Sequence, residues 1–98
     1  VELAEQITGK NLQAEVPTKV EAILRIKCES NVYTTAIARR LRAFKKIKKV
    51  YEVTGNYDIE LSIEAESTVD LNQILERIRE IDGVQATETQ LILKKFET

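Results

Sequence analysis

From Lys19 onward apolar and polar residues alternate, with Val20, Ala22, Leu24, Ile26 and Cys28 on one side of a period-2 segment and Glu21, Arg25 and Lys27 on the other. That alternation predicts a strand buried on one face. Tyr33, Ile37, Leu41, Phe44 and Ile47 then recur at three- and four-residue spacing, which predicts a helix of about four turns with Ser30 or Asn31 as its N-cap. Val50 to Thr54 and Tyr57 to Ala65 are β-rich, and Gly55 and Asn56 between them suit a tight two-residue hairpin turn with positive φ. In the second of these strands Tyr57, Ile59, Leu61, Ile63 and Ala65 alternate with Asp58, Glu60, Ser62 and Glu64. Ser67 or Thr68 caps a second helix with Asp70 near its positive end and Leu71, Ile74, Leu75, Ile78 and Ile81 as its apolar stripe, and Asp82 and Gly83 end it. A last strand is expected from Ala86 to Lys94, with Thr87, Thr89, Leu91 and Leu93 on one side and Glu88, Gln90 and Ile92 on the other.

The order βαββαβ, with right-handed crossovers and no crossing connections, favours an α+β architecture: a four-stranded antiparallel sheet with both helices on one face, the ferredoxin-like split βαβ. Residues 19–98 form this domain. Residues 1–18 read as an N-terminal extension or linker remnant, with a short stripe of Leu3, Ala4 and Ile7 followed by Gly9 and the single proline, Pro17. The chain opens on Val1 rather than Met, as a trimmed or truncated product would.

Composition narrows the function classes. With 98 residues there is room for one small domain, not for separate catalytic and binding domains. The 15 basic and 16 acidic residues nearly cancel, so no global field draws nucleic acid or anionic lipid. The absence of His removes the commonest general base and most zinc and iron sites; no catalytic residue, metal or cofactor is expected. The single cysteine, Cys28, has no internal disulfide partner, no apolar run approaches the roughly 20 residues of a membrane span, and no signal sequence opens the chain, so a cytoplasmic location is expected. Acidity carried by Glu, abundant Ile and a lack of Met and Trp lean towards a thermophile.

Three segments carry a resemblance: Val53-Thr54-Gly55-Asn56-Tyr57-Asp58-Ile59 at the hairpin, Ile81-Asp82-Gly83-Val84 after the second helix, and Thr87-Glu88-Thr89 in the last strand. In this order on a βαββαβ frame they resemble the effector-binding RAM domain of the Lrp/AsnC, or feast/famine, transcription regulators, over roughly residues 19 to 96. The resemblance implies a dimeric α+β barrel type of assembly, a homodimer of a kind that often assembles further into rings or octamers. It also implies an amino acid effector held near the Gly-x-Tyr-Asp loop where subunits meet, and a role in regulating amino-acid metabolism, directly or with a DNA-binding Lrp/AsnC relative. Carried over, the ligand-binding residues are Thr54, Gly55, Asn56, Tyr57 and Asp58, with Thr87 and Thr89 contributing. Full regulators also carry a helix-turn-helix, which residues 1–18 are too short to form, so sequence-specific DNA binding by this chain is not expected.

The same residues have plainer readings. Turn amides could hold a carboxylate and Asp58 an ammonium group, or Gly55 and Asn56 could simply close a hairpin while Tyr57 packs and Asp58 bonds to the turn. The basic stretch Arg39 to Lys49 suits a solvated helix end better than a phosphate site. Glu60, Glu64 and Glu66 are better salt-bridge partners for Arg25 and Lys27 than acid/base catalysts, and Cys28 reads as a core residue. The outward sheet parity carries acids and no aromatic, against RNA stacking. The sheet's open face offers Ile23, Ile92 and Phe96 among many charges, so a dimer there needs its ions paired. A structural self-assembly module with no small ligand is the alternative function, and an enzyme on this architecture lacks an evident acid, base or metal ligand.

Overall fold

The computed structural model describes residues 19–96. The extension expected at residues 1–18 lies outside the described residues. The elements follow in the order β1 (Val20–Cys28), α1 (Thr34–Leu41), β2 (Ile47–Glu52), β3 (Ile59–Ala65), α2 (Thr68–Arg79) and β4 (Val84–Leu91). The strands form a single antiparallel sheet in the order β2-β3-β1-β4, the ferredoxin-like arrangement expected from the pattern.

The period-2 residues set which face is covered. Ala22, Leu24, Ile26 and Cys28 of β1 and Ile59, Leu61, Ile63 and Ala65 of β3 are buried, and they pack with Ile37, Ala38 and Leu41 of α1 and Leu71, Ile74, Leu75 and Ile78 of α2. Burial of each such aliphatic side chain is worth about 1.5–3 kcal/mol, so this layer carries the fold. The alternate residues of the central strands, among them Glu21, Ile23, Arg25, Lys27, Glu60, Ser62 and Glu64, are half-buried on the face that carries no helix.

Both edge strands carry one extra residue. In β2, Ile47 pairs with Ile63 and Lys49 with Ser62, leaving Lys48 unopposed; in β4, Ala86 pairs with Lys27 and Val84 with Cys28, leaving Gln85 unopposed. Each is a bulge that sharpens the local twist.

The first helix departs from expectation. It spans 8 residues and its N-cap is Tyr33, whose side chain makes no capping bond, rather than Ser30 or Asn31. Ser30 and Asn31 lie instead in a turn closed by the Val32 N–H donating to the Glu29 carbonyl. Beyond Leu41 successive three-residue turns, Ala43 N–H to Arg40, Phe44 N–H to Leu41 and Ile47 N–H to Phe44, continue the three-residue spacing without continuing the helix. Phe44 and Ile47 therefore still reach the core, but Ile47 does so from β2.

The second helix starts as read. Ser67 is the N-cap and its Oγ accepts from the Asp70 N–H at 3.1 Å, while Asp70 Oδ2 accepts from the Glu66 N–H at 2.8 Å. Reciprocal bonds of this kind satisfy helix-terminal donors that would otherwise lack partners. The last strand begins two residues earlier than its pattern suggested, at Val84, and ends at Leu91, so Leu93 lies beyond it and is 93% exposed.

Candidate effector site

The hairpin between β2 and β3 is wider than the two-residue turn expected of Gly55 and Asn56. Its closing bond runs from the Val53 N–H to the Asp58 carbonyl at 2.9 Å, so Thr54 to Tyr57 form the loop. Gly55 adopts φ +109°, and nothing lies within 4 Å of the Cβ it lacks, so glycine serves conformation there and not close approach. Thr54, Gly55 and Asn56 are exposed, and Tyr57 and Asp58 are half-buried.

Asp58 fastens this loop to the central strand. Its N–H donates to the Ile26 carbonyl at 2.9 Å, and its Oδ2 accepts from the Cys28 N–H at 2.8 Å. Lys27 Nζ stands 4.0 Å from the same oxygen. The Asp58 carboxylate thus bonds to β1, not to its own turn, and both contacts fall on Oδ2. The β1 partner was the contact least visible in the sequence, because it depends on β3 lying beside β1 with Ile26 opposite Ile59.

Thr87 and Thr89 sit elsewhere. They face Ile26 and Leu24 across β1, so they share the helix-covered side, and Thr87 Oγ1 lies 3.4 Å from Arg79 Nε of α2. Asp58 contacts Lys27, which belongs to the open face. Since β1 separates β3 from β4, these groups are two strand spacings apart, about 10 Å, on opposite faces of one protomer. The structure gathers Thr54 to Asp58 into one cluster and leaves Thr87 and Thr89 outside it.

The same end of the sheet holds other polar contacts that the pattern did not disclose. Thr35 Oγ1 donates to Glu52 Oε2 at 2.8 Å, tying the start of α1 to the end of β2 beside the hairpin. Cys28 is 4% exposed, and burial, with the Asp58 charge adding to it, pushes its thiol above the ordinary range. Such a thiol is a poor nucleophile. Among the described residues no group of three or more His, Cys, Asp or Glu is placed to hold a metal ion.

Across the open face the charges are largely paired. Arg25 Nε meets Glu60 Oε1 at 3.2 Å and its Nη1 lies 3.9 Å from Glu88 Oε1, as strand neighbours should. Glu64 pairs with Lys48 and not with β1, at 3.9 Å, and Glu66 takes Lys46 at 3.4 Å and Lys19 at 4.0 Å. Of the three glutamates expected to pair with Arg25 and Lys27, Glu60 does so with Arg25, Glu64 and Glu66 take other lysines, and Lys27 finds Asp58.

The sheet order, with one layer of helices and a hairpin pinned to the central strand, defines a ferredoxin-like α+β domain. The family model of the Lrp/AsnC ligand binding domain matches residues 21–98, and the chain belongs to this family. Among solved structures it is similar to AsnC of E. coli, with TM-score 0.77 and 23% identity over 87% of this chain and 58% of that one. It is also similar to a feast or famine regulatory protein from M. tuberculosis complexed with L-methionine, with TM-score 0.71 and 21% identity over 93% of this chain and 59% of that one. These two likenesses show the shared fold.

Among curated proteins it is similar to homocitrate synthase of Sulfurisphaera tokodaii, 48% identical over 96 residues, which is 98% of this chain and 21% of the relative. The chain thus spans about a fifth of the length of that relative. No helix among the described residues is long and apolar enough to cross a membrane.

Proposed function

We propose that this chain is an amino-acid-binding and assembly domain that adjusts a biosynthetic enzyme of the homocitrate synthase type, rather than a catalyst itself. One observation carries the reading: a ligand-binding-domain family match over residues 21–98 coincides with 48% identity to a homocitrate synthase in which the matched stretch is 21% of the length. The partner would then be a catalytic part, in the place that a helix-turn-helix holds in transcription regulators. The effector would sit at Thr54, Gly55, Asn56, Tyr57 and Asp58, its ammonium group facing the Asp58 carboxylate and its carboxylate the turn amides. Thr87 and Thr89, directed away from that loop in one protomer, would be supplied by a second copy. A site shared between copies favours whichever assembly completes it, so occupancy shifts the population of assembled states.

The test is a thermal-shift screen of the purified chain against the twenty amino acids at about 10 mM. A dissociation constant near 1 mM stabilises by about 1.4 kcal/mol, or about 6–11 °C in a domain of this size. A shift with one or a few amino acids supports the reading, and light scattering with that compound should show a change in mass. A flat panel overturns millimolar sensing. The second reading, a self-assembly module without a small ligand, is favoured by one observation: Asp58 Oδ2 is already taken by Cys28 and Lys27.

A further inference from the structure

On the helix-covered side, a trough separates α2 from the end of α1 and the turns that follow it. One hollow of about 450 Å³ is lined by Arg40, Ala43, Phe44, Arg77, Glu80 and Ile81. A second, of about 420 Å³, shares Ala43, Phe44 and Arg77 with it and runs on past Lys45 and Gln73. Phe44 lies where the hollows meet, with the Arg77 guanidinium drawn over its ring at 5.0 Å from the centroid. The two walls differ in charge. One presents Arg40 and Lys45, both exposed. The other is the outermost line of α2, Val69, Gln73, Glu76 and Glu80, which recur at four-, three- and four-residue spacing and are all exposed. That line carries two acids and no base. Among the described residues none of Arg40, Lys45, Glu76 and Glu80 makes an ion pair, although Arg40 and Glu80 line the same hollow.

We infer that this face is an interface between two copies of the chain, the acidic line of α2 in each laid along the Arg40 to Lys45 wall of the other. The argument is charge complementarity fixed by direction. Arg40 stands at the Glu80 end of the trough, and Lys46, 3.4 Å from Asp70, at the opposite end. A two-fold axis along the trough exchanges the walls and keeps their ends in place. It sets Glu80 of each copy against Arg40 of the other and Glu76 between Arg40 and Lys45, and every contact occurs twice. Phe44 is then enclosed at the centre with the charges at the rim, the usual anatomy of an interface. A polyanion such as nucleic acid would be drawn by one wall and repelled by the other. A surface bearing both signs in exchanged order satisfies both walls, and a second copy presents it. With 15 basic and 16 acidic residues, little net repulsion opposes the approach of two copies. The interface uses no residue of the hairpin and does not depend on an effector.

The test is a charge exchange, read by sedimentation velocity of the full chain at low ionic strength, where rim charges act most strongly. Arg40→Glu with Lys45→Glu turns that wall acidic, and Glu76→Lys with Glu80→Lys turns the other basic. Each double variant alone should associate at least about tenfold more weakly than the unaltered chain, because like charges then face each other. An equimolar mixture of the two should return to the unaltered strength, since every reversed wall meets its opposite. The chain with all four reversals should associate with itself as the unaltered chain does. A local structural defect in either variant would not be repaired by mixing. A monomeric unaltered chain, undiminished association of either double variant, or a mixture no stronger than its components overturns the interface.

Discussion

Asp58 and Cys28, thirty residues apart, are joined by a 2.8 Å hydrogen bond from the Cys28 backbone N–H to the Asp58 carboxylate. The bond closes the end of β1 against the loop that follows β2. It makes Asp58 a structural residue whether or not it also meets a ligand.

Asp58→Ala therefore leaves a half-buried donor without its charged acceptor, which costs about 1.5–3 kcal/mol. Chemical denaturation of the variant should show that loss at unchanged m-value, and Asp58→Asn, which keeps an acceptor, should lose less. Binding measurements on Asp58→Ala need this correction, because the substitution also removes the bond to β1.

The two positive-φ glycines should respond unequally to alanine. At Gly55, φ +109° with open space around the missing Cβ, the cost is backbone strain of about 1–2 kcal/mol. At Gly83, φ +98°, a Cβ would stand 2.9 Å from Ile37 Cδ1 and 3.0 Å from Val32 Cγ1. Overpacking adds to strain there, so Gly83→Ala should lose about 2–5 kcal/mol. Paired thermal melts give the order directly, and equal losses would contradict the packing described.

Removing the cap of α2 tests whether its start is held locally. Ser67→Ala takes away the acceptor for the Asp70 N–H and should cost about 0.5–2 kcal/mol. In a domain of this size the Tm should fall by about 4–8 °C for each kcal/mol lost, and far-ultraviolet circular dichroism of the native state should be unchanged.

Acid should reach the same corner. The Glu66 N–H, and after it Lys46, hold the Asp70 carboxyl below its usual range, against a smaller opposing effect of burial. A depressed carboxyl stabilises the fold above its unfolded value, about 3.9, and the contribution is lost as pH falls through the lower folded value. Lys46 is raised: burial opposes its charge, but Glu66 and Asp70 outweigh it, so its contribution fades only as pH rises past the ordinary lysine range. Stability measured from pH 2 to pH 6 should fall below about pH 4, and Asp70→Asn should flatten part of that fall.

Cys28 should resist alkylation. Burial and the neighbouring Asp58 disfavour its thiolate, so iodoacetamide at pH 8 should modify the native chain far more slowly than the chain in denaturant. Equal rates would place the side chain outside the core.

What could be read in advance follows from how local each determinant is. The period-2 runs of β1 and β3 and the stripe of α2 record burial on one face, and those elements and their faces appear as expected. The stripe through Phe44 and Ile47 was misleading for a definite reason: consecutive three-residue turns keep helical spacing after the helix has ended. The hairpin's width was hidden because it is set by Asp58 pairing with Val53 and Ile26, one of them on another strand. At Thr87 and Thr89 the order of motifs left open which side of the sheet the side chains occupy, because that depends on their register with Ile26 and Leu24.

The extra residues in β2 and β4 bear on solution behaviour. A flat edge strand invites another chain to add a strand without end, which is how native proteins come to form fibres. Here each outer strand is interrupted, by Lys48 on one side and Gln85 on the other, and Lys48 sets a charge at its break. Strand-by-strand growth is thereby discouraged at both margins of the sheet.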